Sequence, residues 1–186
     1  MLQAPHISTS RLTASVERSR LHRYRTCCES PSLNFWALQS WSYLDVGVNC
    51  SVLLSSAPGI SSYPKGDYLA GCFGWAIGLC LGVWVAGGVS PAHINPAVTL
   101  AMATWRGFAW KKVPVFIFAQ LLGGFVGAAL VYGTYFHAID TFEGGVGIRT
   151  LRTAGLFSAY SIGYMTNVSA FFTELLATAI LVLVIV

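Results

Sequence analysis

The longest stretch without Asp, Glu, Lys or Arg runs from Tyr68 to Trp105, which is 38 residues. A helix that crosses a bilayer needs about 20 apolar residues, and no polar loop divides this stretch into two complete spans. We predict one full helix over residues 69–89, then a turn, then a short half-helix that starts at Asn95 and stays inside the membrane. Non-helical backbone at that depth is tolerated only where it is buried in protein or lines a water-filled cavity. The pattern therefore indicates a cavity.

Two further apolar stretches predict helices that cross the membrane, one over about residues 113–135 and one over residues 168–186. The second carries a single charged residue, Glu174. Small residues recur every three or four positions in the earlier stretches, which favours close packing between membrane helices. The fold class that follows is an all-α integral membrane protein with about three to four spans and one re-entrant half-helix.

The start of the chain has a different composition from the rest. Residues 1–44 include five Arg and predict a basic tail that is disordered or foreign to the fold, which places the membrane region at residues 45–186. A weaker apolar stretch over residues 33–59 is interrupted by Asp45 and Asn49, and its later part is too short to cross a bilayer alone. Because the chain stops inside an apolar run, we expect it to be a fragment.

Composition and charge exclude several classes of protein. The chain is 55% hydrophobic and 10% charged, whereas an average soluble domain carries about 25% charged residues. The net charge of +4 reflects the tail and lacks the aromatic-interleaved basic patch typical of nucleic-acid binding. No spacing of Cys and His suggests a metal, and no catalytic or cofactor-binding motif is present, so we predict neither an enzyme nor a bound cofactor.

Residues 90–99 read Ser-Pro-Ala-His-Ile-Asn-Pro-Ala-Val-Thr. Asn is a preferred helix N-cap, and Pro suits the first helical position, so Asn95 and Pro96 predict a helix start. That end carries a partial positive charge and free N–H groups. Facing a pore, it would repel cations and hydronium while leaving neutral solutes alone. An extended stretch over residues 92–94 would offer its carbonyl oxygens to a polar solute.

The segment SPAHINPAVTL resembles the first signature loop of the major intrinsic protein family, which comprises the aquaporins and aquaglyceroporins. The likeness continues upstream through FGWAIGLCLGVWVAGGV and downstream through RGFAWKKVPVFIFAQLLGGFVGAALVYGTY. FHAIDTFEGGVGIRT and YMTNVSAFFTELLATA resemble the third loop and fourth span of fungal-type aquaglyceroporins. The resemblance covers residues 46–186. It implies the first half of a right-handed helical bundle, made of the first inverted repeat and the fourth span.

The resemblance also implies roles for individual side chains. Asn95 would donate to the passing solute, and Trp75, 20 residues earlier, matches the Trp that glycerol-selective members place at the outer constriction. Gln120 matches a buried hydrogen-bonding Gln of the third span, and Glu174 matches a fourth-span Glu that supports the second signature loop. The expected pore-lining residues are Trp75, Leu79, His93, Ile94, Asn95, Pro96 and Ala97, with His93 acting as a packing residue that offers its carbonyl.

Three departures from the family pattern stand out. Pro91 replaces the usual Gly, the family's early Glu is not found, and the chain contains one Asn-Pro, so the second signature loop and the Arg of the selectivity filter are missing.

The function implied by the resemblance is a passive channel for glycerol, small polyols and water, incomplete in this chain and normally tetrameric. We expect a plasma-membrane protein whose N-terminus lies in the cytosol, because the basic tail and the Arg106–Lys112 link would both be cytosolic under the positive-inside rule. Two alternatives remain open. One is half of a secondary transporter with a broken helix at its substrate site, and the other is a non-transporting subunit that pairs with full-length relatives.

Overall fold

The computed structural model describes residues 31–87 and 92–186, and all regular structure in those ranges is helical. The elements are α1 (Pro31–Leu54), α2 (Tyr68–Gly87), α3 (Pro96–Trp105), a 3-10 turn (Trp110–Lys112), α4 (Val113–Glu143), α5 (Leu151–Ala154) and α6 (Asn167–Ile185). Residues 1–30 of the predicted tail lie outside the described residues, and so does Pro91, which replaces the usual Gly of the family.

Three helical stretches of the described chain are long and apolar enough to cross a membrane, namely Tyr68–Gly87, Trp110–Glu143 and Asn167–Ile185. Helix α3 has 10 residues and is about 15 Å long, roughly half the thickness of a bilayer core. The predicted all-helical membrane fold is confirmed.

Helix α1 differs from the prediction made for this part of the chain. It begins at Pro31 and has 24 residues, so at about 36 Å it is long enough to cross a bilayer, although it is less apolar than the three stretches above. It also runs through the boundary predicted between residues 44 and 45. The reason is that its polar residues face other helices: Asn34 and Asp45 are 0% and 4% exposed. They lower the hydropathy of the segment without meeting lipid.

Helix α1 packs between α2 on one side and α4 on the other. Glycines allow the close approach on both sides. A Cβ placed on Gly82 of α2 would lie 3.0 Å from the carbonyl oxygen of Ala37, and one placed on Gly123 of α4 would lie 2.5 Å from that of Phe35. Gly123 has no room for a side chain and Gly82 has very little, so both interfaces of α1 depend on the small residues that the sequence repeats.

Asp45 lies inside this packed region of α1. Among the described residues, its carboxylate accepts hydrogen bonds only from the backbone N–H groups of Val46 and of Asp45 itself. Ionisable residues within membrane helices are costly and usually face the protein interior, and Asp45 follows that rule.

Helix α6 is the least integrated element. None of its residues is buried by the described parts of the chain, and its main contact is with α3. An apolar groove of about 800 Å³ separates the two helices. Its lining includes Leu100, Thr104 and Trp105 from α3, and Leu175, Ala179 and Val182 from α6.

The close approach of α4 to α1 can be tested with two matched substitutions. Gly123→Ala is expected to lower the free energy of unfolding by about 1–3 kcal/mol, because the added methyl group overpacks the interface. Gly133→Ala, in the same helix but with nothing within 4 Å, is expected to leave it unchanged or slightly higher. Thermal unfolding in detergent, followed by tryptophan fluorescence, measures both. Equal melting temperatures for the two variants would contradict the packing of α1.

Candidate functional site

Helix α3 starts with the N-cap that its sequence predicts. Asn95 is in an extended conformation (φ −144°, ψ 132°), and its Oδ1 accepts a hydrogen bond of 2.7 Å from the backbone N–H of Ala97. Pro96 occupies the first turn, where a missing N–H costs nothing. The structure records no acceptor in residues 31–87 or 92–186 for the Nδ2 group of Asn95. The side-chain oxygen of Asn95 therefore caps α3, and its side-chain nitrogen stays available as a donor.

The backbone before Asn95 is not the plain extended stretch that we expected. Ala92 (φ 50°) and Ile94 (φ 52°) are both left-handed, a conformation that costs on the order of 1–3 kcal/mol for a non-glycine residue. Two contacts hold Ile94 there. Its N–H donates to Oδ1 of Asn34 over 3.1 Å, and its side chain, 3% exposed, belongs to a buried cluster with Ala37 and Ala86.

A buried amide network connects this backbone to α1 and α4. Gln120 is 0% exposed, and its Nε2 donates to Oγ1 of Thr99 over 3.0 Å and to Oδ1 of Asn34 over 3.4 Å. Thr99 in turn donates to the carbonyl oxygen of Asn95 over 3.1 Å. The side-chain amides of Asn34 on α1 and Gln120 on α4 therefore fix the backbone that precedes α3 and the first turn of α3.

Asn34 was missed by the sequence reasoning, which assigned residues 1–44 to a tail. A detectable signal was present, because Asn34 is the one strongly polar residue between Leu33 and Leu38. A lone amide in an apolar stretch needs a buried partner, and this one has several.

His93 packs among aromatic rings rather than facing a cavity. It is 4% exposed, and its ring centroid lies 4.8 Å from that of Phe108 and 5.6 Å from that of Phe116. These contacts join the backbone before α3 to the start of α4.

Trp75 lies in the first half of α2, away from the end of that helix that packs against Ile94. Its side chain is 44% exposed, and its indole Nε1 donates to Oδ1 of Asn49 on α1 over 3.2 Å. The ring of Trp41 meets it edge-on with centroids 6.4 Å apart. Leu79, one helical turn further along α2, is 38% exposed.

Trp75 lines a cavity of about 770 Å³, which we call the mouth. Its walls come from the end of α1, the start of α2 and the segment after α4, and include Asn49, Tyr68, Arg152 and Leu156. Ala97, in contrast, lines the groove between α3 and α6. The predicted pore residues Trp75 and Ala97 therefore open into different cavities of the described chain.

The segment after α4 that lines the mouth is hydrogen-bonded to the end of α4. Arg149 donates to Asp140 over 2.7 Å and to the hydroxyl oxygen of Tyr132 over 2.8 Å. The bonds to the Asp140 carboxylate and then to Tyr132 raise the pKa of Arg149 above its ordinary value. Glu143 accepts a 2.6 Å bond from Thr153. Both bonds hold the chain that carries Arg152 in place.

Glu174 is exposed on α6. No hydrogen bond or ion pair joins it to any residue of the described ranges. The partner that the resemblance implies, a second signature loop, is not part of this chain, and the role of Glu174 stays a prediction.

The bond from Asn34 to Ile94 can be tested by removing the acceptor. Asn34→Leu is expected to lower the free energy of unfolding by about 1–3 kcal/mol, because it leaves a buried N–H unsatisfied, and to speed hydrogen exchange at the amide of Ile94. Asn34→Asp keeps an acceptor and should restore protection, whereas Asn167→Leu, on exposed α6, serves as a control. Exchange measured in detergent by NMR checks this. Unchanged protection of Ile94 in Asn34→Leu would refute the anchoring role.

Comparison with known proteins gives consistent matches. Residues 37–186 match the sequence profile of the family described as Major intrinsic protein. The chain is 66% identical over 140 residues to Aquaporin-6 of Laccaria bicolor, covering 75% of the chain and 45% of the relative. It is 52% identical over 162 residues to Aquaporin-7-2 of the same fungus, covering 87% and 49%. It is 42% identical over 167 residues to Probable aquaglyceroporin-2 of Gibberella zeae, covering 88% and 48%.

The chain spans about half the length of the curated relatives it matches. The match to the profile begins within α1 at residue 37, upstream of the predicted boundary at residue 45. The matched residues include the start of α3 and those that line the mouth. The family consists of membrane channels rather than enzymes. The chain therefore belongs to the major intrinsic protein family.

Proposed function

We propose that this chain supplies one half of a passive channel for glycerol, small polyols and water. The observation that carries the proposal is the cap geometry at Asn95. Its oxygen is taken by the N–H of Ala97, so its amide nitrogen can donate to the oxygen of a neutral solute. The positive end of the α3 dipole opposes cations at the same point.

The proposal includes polyols because of the side chains on α2. Trp75 and Leu79 are partly exposed, one turn apart, and the mouth beside Trp75 measures about 770 Å³. A flat apolar ring suits the carbon chain of a polyol, whereas water needs only hydrogen-bond partners. The relatives include proteins named as an aquaporin and as a probable aquaglyceroporin, which supports a path for both kinds of solute.

A second set of helices would complete the path. Helix α6 buries none of its residues against the described chain, and the groove between α3 and α6 is lined mainly by apolar side chains. The remaining half of a channel of this family would cover that groove. The complete channel would be a tetramer in the plasma membrane, with the basic tail and the Arg106–Lys112 link in the cytosol.

The same groove favours a second candidate function, a non-transporting subunit that pairs with a full-length relative. The transporter alternative has less support. The side chains bonded around the start of α3, Asn34, Thr99 and Gln120, are neutral. Coupling to protons would require an ionisable group there, and the nearby His93 packs against two Phe rings instead.

Solute flux into vesicles distinguishes these functions. Vesicles that contain the chain alone are expected to take up glycerol and water at the rate of empty vesicles, because the groove is open. Adding the C-terminal half of Aquaporin-6 from Laccaria bicolor is expected to raise glycerol influx several-fold. Asn95→Leu should abolish that gain, and Asn167→Ala, a change of the same residue type on exposed α6, should preserve it. Stopped-flow light scattering measures both solutes.

Two results would contradict the proposal. Glycerol influx above that of empty vesicles with the chain alone would show that no second half is needed. If the two halves co-purify but pass neither glycerol nor water, the channel function fails and the non-transporting subunit becomes the better account.

A further inference from the structure

We propose that Asn49 determines the specificity of the mouth, by fixing the orientation of Trp75 and by donating to the solute beside it. This inference rests on the proposed polyol function and adds a residue to it. Asn49 lies on α1 and Trp75 on α2, 26 positions apart in the chain, and both line the mouth.

Asn49 lies in van der Waals contact with α2 at Gly71. A Cβ placed on Gly71, one turn before Trp75, would lie 3.6 Å from Oδ1 of Asn49. The amide thus sits against the α2 backbone and accepts the indole N–H over 3.2 Å. Asn49 is half-buried, whereas the bond itself lies on the exposed side of the helix pair.

The bond determines what Trp75 can offer to a solute. An indole ring has one donor and no acceptor, and that donor is already used. The edge-on contact with Trp41, at 6.4 Å between centroids, supports the ring from the α1 side. The ring of Trp75 therefore presents only carbon to the mouth, as an apolar wall of fixed orientation.

Asn49 itself supplies the polar element next to that wall. Its Oδ1 is occupied by the indole, and for its Nδ2 the structure records no acceptor within residues 31–87 and 92–186. Two N–H donors therefore remain beside a flat apolar surface. A polyol offers hydroxyl oxygens and a carbon chain side by side and can use both features, whereas water can use only the donors.

The charged residues of the mouth have other partners. Asp67 accepts from the backbone N–H of Ala70 over 3.1 Å at the start of α2. Arg152 lies over the ring of Phe142, 4.8 Å from its centroid. A neutral solute is therefore the better match to the groups that the mouth leaves available.

Indole NMR tests the positioning of Trp75 without relying on flux. The chain has six Trp, and Trp75→Phe identifies the peak of interest in detergent-solubilised, ¹⁵N-labelled protein. Asn49→Ala is expected to speed hydrogen exchange of the Trp75 indole N–H about tenfold, through loss of one hydrogen bond. Asn49→Asp, which keeps the acceptor, and Asn167→Ala, a remote control, should leave it within about twofold. Unchanged exchange in Asn49→Ala would overturn the proposal.

A glycerol titration of the same samples tests the donor role. Glycerol is expected to shift the Trp75 indole peak in the unmodified chain, and the half-saturating concentration should rise several-fold in Asn49→Asp, which keeps Trp75 in place but loses the N–H donors. An unchanged concentration in Asn49→Asp would overturn the donor role. If glycerol leaves the Trp75 peak unmoved in the unmodified chain while Asn49→Ala still accelerates exchange, the polyol assignment fails and the positioning of Trp75 stands.

Discussion

The hydrogen bond from the N–H of Ile94 to Asn34 is the contact on which the site depends. It satisfies a buried N–H in a backbone that includes two left-handed non-glycine residues, and it determines where the first turn of α3 begins. Gln120 binds the same Asn34 oxygen from α4. Asn34 can reach this point because α1 lies close to both neighbours, at glycine positions such as Gly82 and Gly123 where a side chain would crowd the α1 backbone. Close packing of three helices thus places the start of a fourth.

Both ends of the bundle use a side-chain amide in a similar way. At Asn95 and at Asn49 the oxygen accepts an N–H of the protein itself, which fixes the plane of the amide and leaves its nitrogen to donate. A donor held in this way loses little freedom when a solute arrives, so it can bind weakly and release quickly. That behaviour suits passage through a channel better than a strong or mobile binding group would.

Hydropathy was sufficient for the elements that are uniformly apolar, and the Asn-Pro pair was sufficient for the start of α3. Hydropathy did not predict α1 correctly, because a window of sequence cannot tell whether Asn34 and Asp45 face lipid or protein. In the structure both are buried in protein. The left-handed backbone at Ala92 and Ile94 could not be predicted, because neither residue is a glycine. The contact between Asn49 and Trp75 joins two helices and needed their relative position, whereas the family was recognisable from one short loop.

The buried carboxyl group of Asp45 bears on how the protein enters the membrane. On the scale for insertion of single helices, a central Asp opposes integration by about 2.5–3.5 kcal/mol, and α1 also carries Asn34 near its start. Helix α2 follows after a short connection, is free of charged residues, and presents the glycines that receive α1. Packing of α1 against these α2 glycines therefore offsets part of the cost of placing the Asp45 helix in a bilayer.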